Sequence, residues 1–132
     1  MRNLHDCPSA EEVSWFAIRQ PGLIRVLEQR LWAADGDAFA AALELSCRVV
    51  GEAGVTDGIP LPRLDRRLLH AGLARMMDGC DPELDQWIRD QLAELPVMLT
   101  HHEEDDVVTM VAAVIWAAAE VRAQPLHSHF AV

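Results

Sequence analysis

The densest group of chemically capable side chains is one run of histidines and acids, His101-His102-Glu103-Glu104-Asp105-Asp106. Residues four apart share one face of a helix, so His101 would lie over Asp105 and His102 over Asp106. An imidazole paired with a carboxylate suits a divalent ion such as zinc, iron or manganese. His127 and His129, near the end of the sequence, would supply a third or fourth ligand. The run therefore predicts a metal centre at a helix start.

The same run has a second, purely structural interpretation. Thr100 and Glu103 match the capping box, in which a Ser or Thr and a Glu three residues later satisfy each other's backbone N–H groups. Acidic side chains in a first helical turn are also favoured by the helix macrodipole. The metalloprotease pattern His-Glu-x-x-His is absent from the sequence. We therefore favour the structural interpretation, with both histidines exposed, and keep the metal centre as the alternative.

Two tryptophans and one arginine cluster are the candidates for contact with a partner. Trp15 and Trp32 lie at the edges of their predicted helical stripes, and exposed tryptophans are frequent interface anchors. Arg63, Arg66 and Arg67 form a concentrated positive group that would bind a phosphate or a carboxylate. The default interpretations remain burial of the tryptophans in the core and pairing of the arginines with acids of neighbouring helices.

Several catalytic chemistries are excluded by the residue types. All 11 basic residues are arginine, and the sequence contains neither lysine nor tyrosine. Phosphate-loop lysines, lysine Schiff bases and tyrosine nucleophiles are therefore ruled out. No serine lies in a Gly-x-Ser-x-Gly motif. Cys47 falls on an apolar helix face, whereas Cys7 and Cys80 lie near helix starts, where a reactive thiol is an alternative. Apart from the divalent metal, no cofactor is predicted.

The charge balance bears on partners and location. The 132 residues include 21 acids, so the net charge is −10 at pH 7. This charge disfavours direct binding to nucleic acid and would attract a basic protein. The longest apolar run, Val107 to Ala119, is shorter than the ~20 residues needed to span a bilayer, so no membrane helix is predicted. The absence of lysine and of a signal-peptide pattern favours a bacterial cytoplasmic protein.

Helical periodicity predicts six helices and no strand. Capping and stop residues place these helices between Ser9 and Gln20, Pro21 and Gly36, Asp37 and Val50, Arg63 and Asp78, Asp81 and Pro96, and His101 and Ala123. Gly51 and Gly54 are expected to weaken the end of the third helix, before a loop from Val55 to Pro62. The last helix is apolar on nearly every side, so it should be central or should pack its alanines against a second copy in a homodimer.

These patterns predict an all-α fold, a compact bundle of five to six helices in a single domain with the C-terminal helix at its centre. The favoured function is that of a non-catalytic, acidic adaptor that recognises another protein, as chaperones, antitoxins, immunity proteins and inhibitors do. One alternative is a small helical metalloprotein or metal-dependent hydrolase built on the run from His101 to Asp106. Another is an inhibitor whose carboxylates imitate the phosphates of DNA.

Overall fold

The computed structural model describes residues 10–31, 36–57, 63–79 and 81–123. These residues form six α-helices and no strand, which confirms the predicted all-α bundle. The helices are α1 (Ala10–Arg19), α2 (Pro21–Leu31), α3 (Gly36–Asp57), α4 (Arg66–Asp78), α5 (Pro82–Ala93) and α6 (His101–Ala123). None of the described helices is long and apolar enough to cross a membrane.

Helix α6 is the centre of the bundle, as its composition predicts. It packs against α2, α3, α4 and α5. Its buried apolar residues extend around most of the helix: Val107, Val108, Met110, Val111, Ala112, Ala113, Val114, Ala117 and Ala118. The apolar faces of the surrounding helices complete the core, and each fully buried leucine there contributes about 1.5–3 kcal/mol relative to exposure.

Most alanines in the middle of α6 are used inside the monomer, whereas Ala119 is exposed. Ala112, Ala113 and Ala117 have no exposed surface, and Ala118 is 5% exposed. These side chains therefore do not form the surface on which the predicted homodimer was based. A dimer stays a prediction, and it would have to use another part of the chain.

Two predicted helix starts are present in atomic detail. The Asp81 side chain accepts a hydrogen bond from the Glu83 N–H at 3.1 Å, with Pro82 at the first position of α5. At the start of α6, the Thr100 N–H donates to Glu103 Oε1 at 2.9 Å and the Glu103 N–H donates to Thr100 Oγ1 at 3.2 Å. This is the predicted capping box, and it explains why the Glu103 carboxylate can be buried.

Three predicted boundaries were wrong. Helix α4 begins at Arg66 and not at Arg63, because the Asp65 side chain caps it by accepting a hydrogen bond from the Arg67 N–H at 2.8 Å. Gly36 does not close α2 but opens α3. Helix α3 continues through both predicted weak points, Gly51 and Gly54, to residue 57, inside the predicted loop. A helical glycine costs about 1 kcal/mol, so the two glycines weaken the end of α3 without ending the helix.

Helices α4 and α6 approach each other closely at Gly72. A Cβ atom built on Gly72 would lie 3.0 Å from the Ala113 carbonyl oxygen and 3.1 Å from Cε3 of Trp116. A carbonyl oxygen within a helix cannot move without disturbing its own hydrogen bonds. The position therefore requires a residue without a side chain.

We expect Gly72→Ala to destabilise the fold by about 1–2 kcal/mol, since overpacking costs more than the gain in helix propensity. The free energy of unfolding, measured by urea denaturation, checks this. Gly36→Ala is the matched control, because nothing lies within 4 Å of a Cβ built there. Equal urea midpoints for the two variants would contradict the close approach of α4 and α6.

Candidate partner-binding surface

Helix α1 presents an apolar stripe to solvent. Its inner face is anchored by Phe16, which is buried, and α1 packs against α2 and α3. Trp15 is 57% exposed and Ile18 is 64% exposed. Together with the exposed Arg19 they follow the i, i+3, i+4 spacing of a single helix face. We call Trp15, Ile18 and Arg19 the α1 stripe. Trp15 is therefore exposed and not placed in the core, whereas Trp32 lies outside the described residues.

The end of α1 is tied to the segment before α4 by a buried side chain. Gln20 is 1% exposed and lies between α1 and α2. Its Oε1 accepts a hydrogen bond from the Leu64 N–H at 2.8 Å, across 44 positions of sequence. The Leu64 carbonyl oxygen lies 2.9 Å from a Cβ built on Gly22, and Arg66 Cγ lies 3.5 Å from it. The corner between α1 and α2 therefore packs directly on residues 64–66.

This contact gathers arginines from two parts of the sequence at one end of the bundle. Arg19 precedes Gln20, Arg63 precedes Leu64, and Arg66 touches the start of α2. All the members of the group are exposed, and we call them the arginine surface: Arg19, Arg63, Arg66 and Arg67.

The guanidinium groups of the arginine surface are not neutralised within the described part of the chain. The arginines that form ion pairs there are Arg48, with Glu44 at 3.8 Å, and Arg89. The acid nearest in sequence, Asp65, uses its side chain to cap α4. The sequence also suggested that these arginines pair with acids of neighbouring helices. No such ion pair is present among the described residues.

The opposite end of the bundle is acidic and is organised by Arg89 of α5. Arg89 Nε lies 2.6 Å from Asp85 Oδ1, and Nη2 lies 2.9 Å from Asp105 Oδ1 on α6. Nη1 lies 3.7 Å from Glu104 Oε2. The hydrogen bonds to Asp85 and then Asp105 raise the pKa of the Arg89 guanidinium above its ordinary value. Arg89 thus joins α5 to the first turn of α6.

The side chains from His101 to Asp106 take separate roles. Asp105 bonds to Arg89 and Glu103 completes the capping box, while His102 Nε2 lies 3.6 Å from Asp106 Oδ2. Both histidines are exposed. Among the described residues no three or more His, Cys, Asp or Glu side chains form a group that could hold a metal ion. His127 and His129 lie outside the described residues, so the metal centre stays a prediction.

A cleft of about 250 Å³ lies between α2, α4 and α6, and its lining shows how these helices run. Leu73 and Met77 of α4 face Asp106 and Met110 of α6 across it, with the end of α2 alongside. Gly72 lies beside Ala113, whereas Met77, further along α4, lies near Asp106 and Met110, which come earlier in α6. Helices α4 and α6 are therefore antiparallel. The arginine surface, at the start of α4, and the acids at the start of α6 therefore occupy opposite ends of the bundle.

The remaining sequence candidates divide between the core and the undescribed part of the chain. Trp87 and Trp116 are half-buried against the core, and Cys47 is buried, as its apolar helix face predicts. Cys7 and Cys80 lie outside the described residues. No known protein family, curated protein or solved structure matches this chain, so the surface is interpreted from its own geometry.

Three residues of this surface were not predicted from the sequence. Ile18 was detectable, because it follows Trp15 by three positions and so shares its face. Arg19 had no local signal, because it joins the cluster only through the contact between the α1–α2 corner and residues 64–66. Gln20 had no local sequence signal either, because a glutamine between two helices is usually exposed to solvent.

Gln20→Ala removes the acceptor for the buried Leu64 N–H, so we expect a loss of about 1–3 kcal/mol in the free energy of unfolding. Chemical denaturation measures the loss. The control is Gln29→Ala, an exposed glutamine on α2 that should change stability by less than about 0.5 kcal/mol. Identical stabilities for the two variants would show that the Gln20 contact does not hold the corner.

Arg89→Gln leaves three neighbouring carboxylates without their shared cation. Because partly exposed ion pairs contribute about 0.2–1 kcal/mol each, we expect a total loss of about 1–2 kcal/mol at low salt. Screening should shrink this loss at 0.5 M NaCl. Thermal melts at both salt concentrations test it beside Arg75→Gln, an exposed arginine of α4 without an ion pair to the described residues. A loss independent of salt would mean that Arg89 acts through packing and not through charge.

Proposed function

We propose that this protein is a non-catalytic helical adaptor that recognises another protein through α1. The observation that carries the proposal is the α1 stripe, where Trp15 and Ile18 lie side by side with most of their surfaces in solvent. Exposed methionines also occur at Met77 and Met98, but they lie on separate elements and do not form a common helix face.

The exposed pair has the character of an interface anchor. Tryptophan is among the residues that most often dominate binding energy at protein interfaces. Burying a Trp and an Ile side chain against a partner would contribute about 1.5–3 kcal/mol each. The helix that carries them is fixed from behind by Phe16 and Gln20, so little ordering of the backbone is needed on binding.

The finer parts of the proposal come from the sequence. We propose a location in a bacterial cytoplasm, which the lysine-free composition favours, and an adaptor class such as chaperones, antitoxins, immunity proteins or inhibitors. We do not propose a homodimer through α6, because Ala112 and Ala113 are fully buried in the core of the monomer.

Co-purification of the full chain from its own host tests the proposal. We expect the wild type to retain a partner protein that is lost from Trp15→Ser/Ile18→Ser, because the serines remove the apolar anchor while leaving the buried face of α1 unchanged. The control is Met77→Ser/Met98→Ser, which alters equally exposed side chains elsewhere. Mass spectrometry of the three preparations reads the result. Recovery of the lone chain from wild type, or equal partner recovery from all three, would refute the proposal.

A further inference from the structure

We infer that the occupant of the α1 stripe is an amphipathic helix whose apolar side is flanked by acidic side chains. The inference rests on the proposed function and adds the chemistry of the partner. It opposes the simplest expectation from the net charge of −10, which is a basic partner.

The first step is the continuity between the apolar and the basic surfaces. Arg19 belongs to both, since it follows Trp15 by four positions on the exposed face of α1. The Gln20–Leu64 hydrogen bond then brings Arg63 and the first turn of α4 to the end of α1. A partner lying along α1 would therefore meet the arginine surface where α1 ends.

The second step is the electrostatic character of that end. The first turn of α4 contains Arg66 and Arg67 and no acid. The start of a helix carries partial positive charge, so arginines there are opposed by the macrodipole and by each other. Other starts in this chain follow the opposite rule, with Glu11 and Glu12 in α1 and Glu83 and Asp85 in α5. Arg66 and Arg67 lie where the helix disfavours them, are exposed, and form no ion pair with the acids of the described residues. Their guanidinium groups are therefore available to an external anion.

The third step selects a protein helix as the source of that anion. An i, i+3, i+4 ridge with two apolar side chains packs well against the groove of another helix. Guanidinium groups at its edge pair with carboxylates through two parallel hydrogen bonds. A nucleic acid would bring no apolar side chains for Trp15 and Ile18.

The experiment places the photo-crosslinking amino acid benzoylphenylalanine at position 18 of the full chain, expressed in its own host. Mass spectrometry identifies the crosslinked segment. We expect a segment with an i, i+3, i+4 apolar pattern and an excess of Asp and Glu. A second set of cells carries the same probe together with Arg66→Glu/Arg67→Glu, for which we expect at least a fivefold drop in crosslink yield.

The matched charge control is Arg75→Glu, which reverses an exposed arginine at the other end of α4 and should leave the yield within twofold. Loss of the fold would not explain the drop, because glutamates in a first turn favour the helix. The charge-reversed protein should therefore unfold at a urea concentration equal to or above that of the wild type.

The outcomes separate this inference from the proposed function. A crosslinked protein segment that is basic or neutral, or a yield unchanged by charge reversal, overturns the acidic partner and leaves protein recognition through α1 intact. A crosslink to a second copy of the chain or to lipid overturns the acidic helix as the occupant. The absence of any crosslink from position 18 overturns both proposals together.

Discussion

Burial of α6 on nearly every side is the constraint on which the rest of the structure depends. A helix that satisfies its own backbone hydrogen bonds can occupy the centre of a core provided that its neighbours cover its side chains. Four helices do so here, and the closest approach, at Gly72 and Ala113, is possible only because neither residue carries a bulky side chain. Since α6 is enclosed by α2, α3, α4 and α5, α1 is left to pack on α2 and α3. One face of α1 therefore stays in solvent, and that face carries Trp15 and Ile18.

Because α6 is largely buried from Val107 to Ala118, most of its acidic side chains lie at its start, at one end of the bundle. Acids at the start of α6 are stabilised by the macrodipole, by the Thr100–Glu103 capping box and by Arg89. Their excess over basic residues is thus partly structural, and net charge alone is a weak guide to the partner. Arg66 and Arg67 lie at the start of α4, where the macrodipole disfavours positive charge. Their position is therefore an electrostatic cost to the helix, partly offset by the Asp65 cap and by the packing of Arg66 against the start of α2.

Local signals in the sequence were sufficient for most of the fold. Asp81 with Pro82 marked the start of α5, Gly79 marked the end of α4, and apolar residues on nearly every side marked α6 as central. The errors concern helix boundaries. Gly51 and Gly54 weaken a helix, but α3 continues through them to residue 57. Arg63 was placed inside α4 because the capping role of Asp65 was overlooked.

The helical class, the buried central helix and the exclusion of lysine chemistry could all be predicted from the sequence. All of these follow from residue type and from spacings of three or four positions, which is the range over which a helix relates its side chains. Two arrangements required the folded chain: Asp105 bonds to Arg89, and Arg63 and Arg66 lie at the end of α1. Those arrangements join residues 16 or 44 positions apart, as in Arg89 with Asp105 and Gln20 with Leu64. No local periodicity encodes such a pairing, because it depends on how the helices pack around α6.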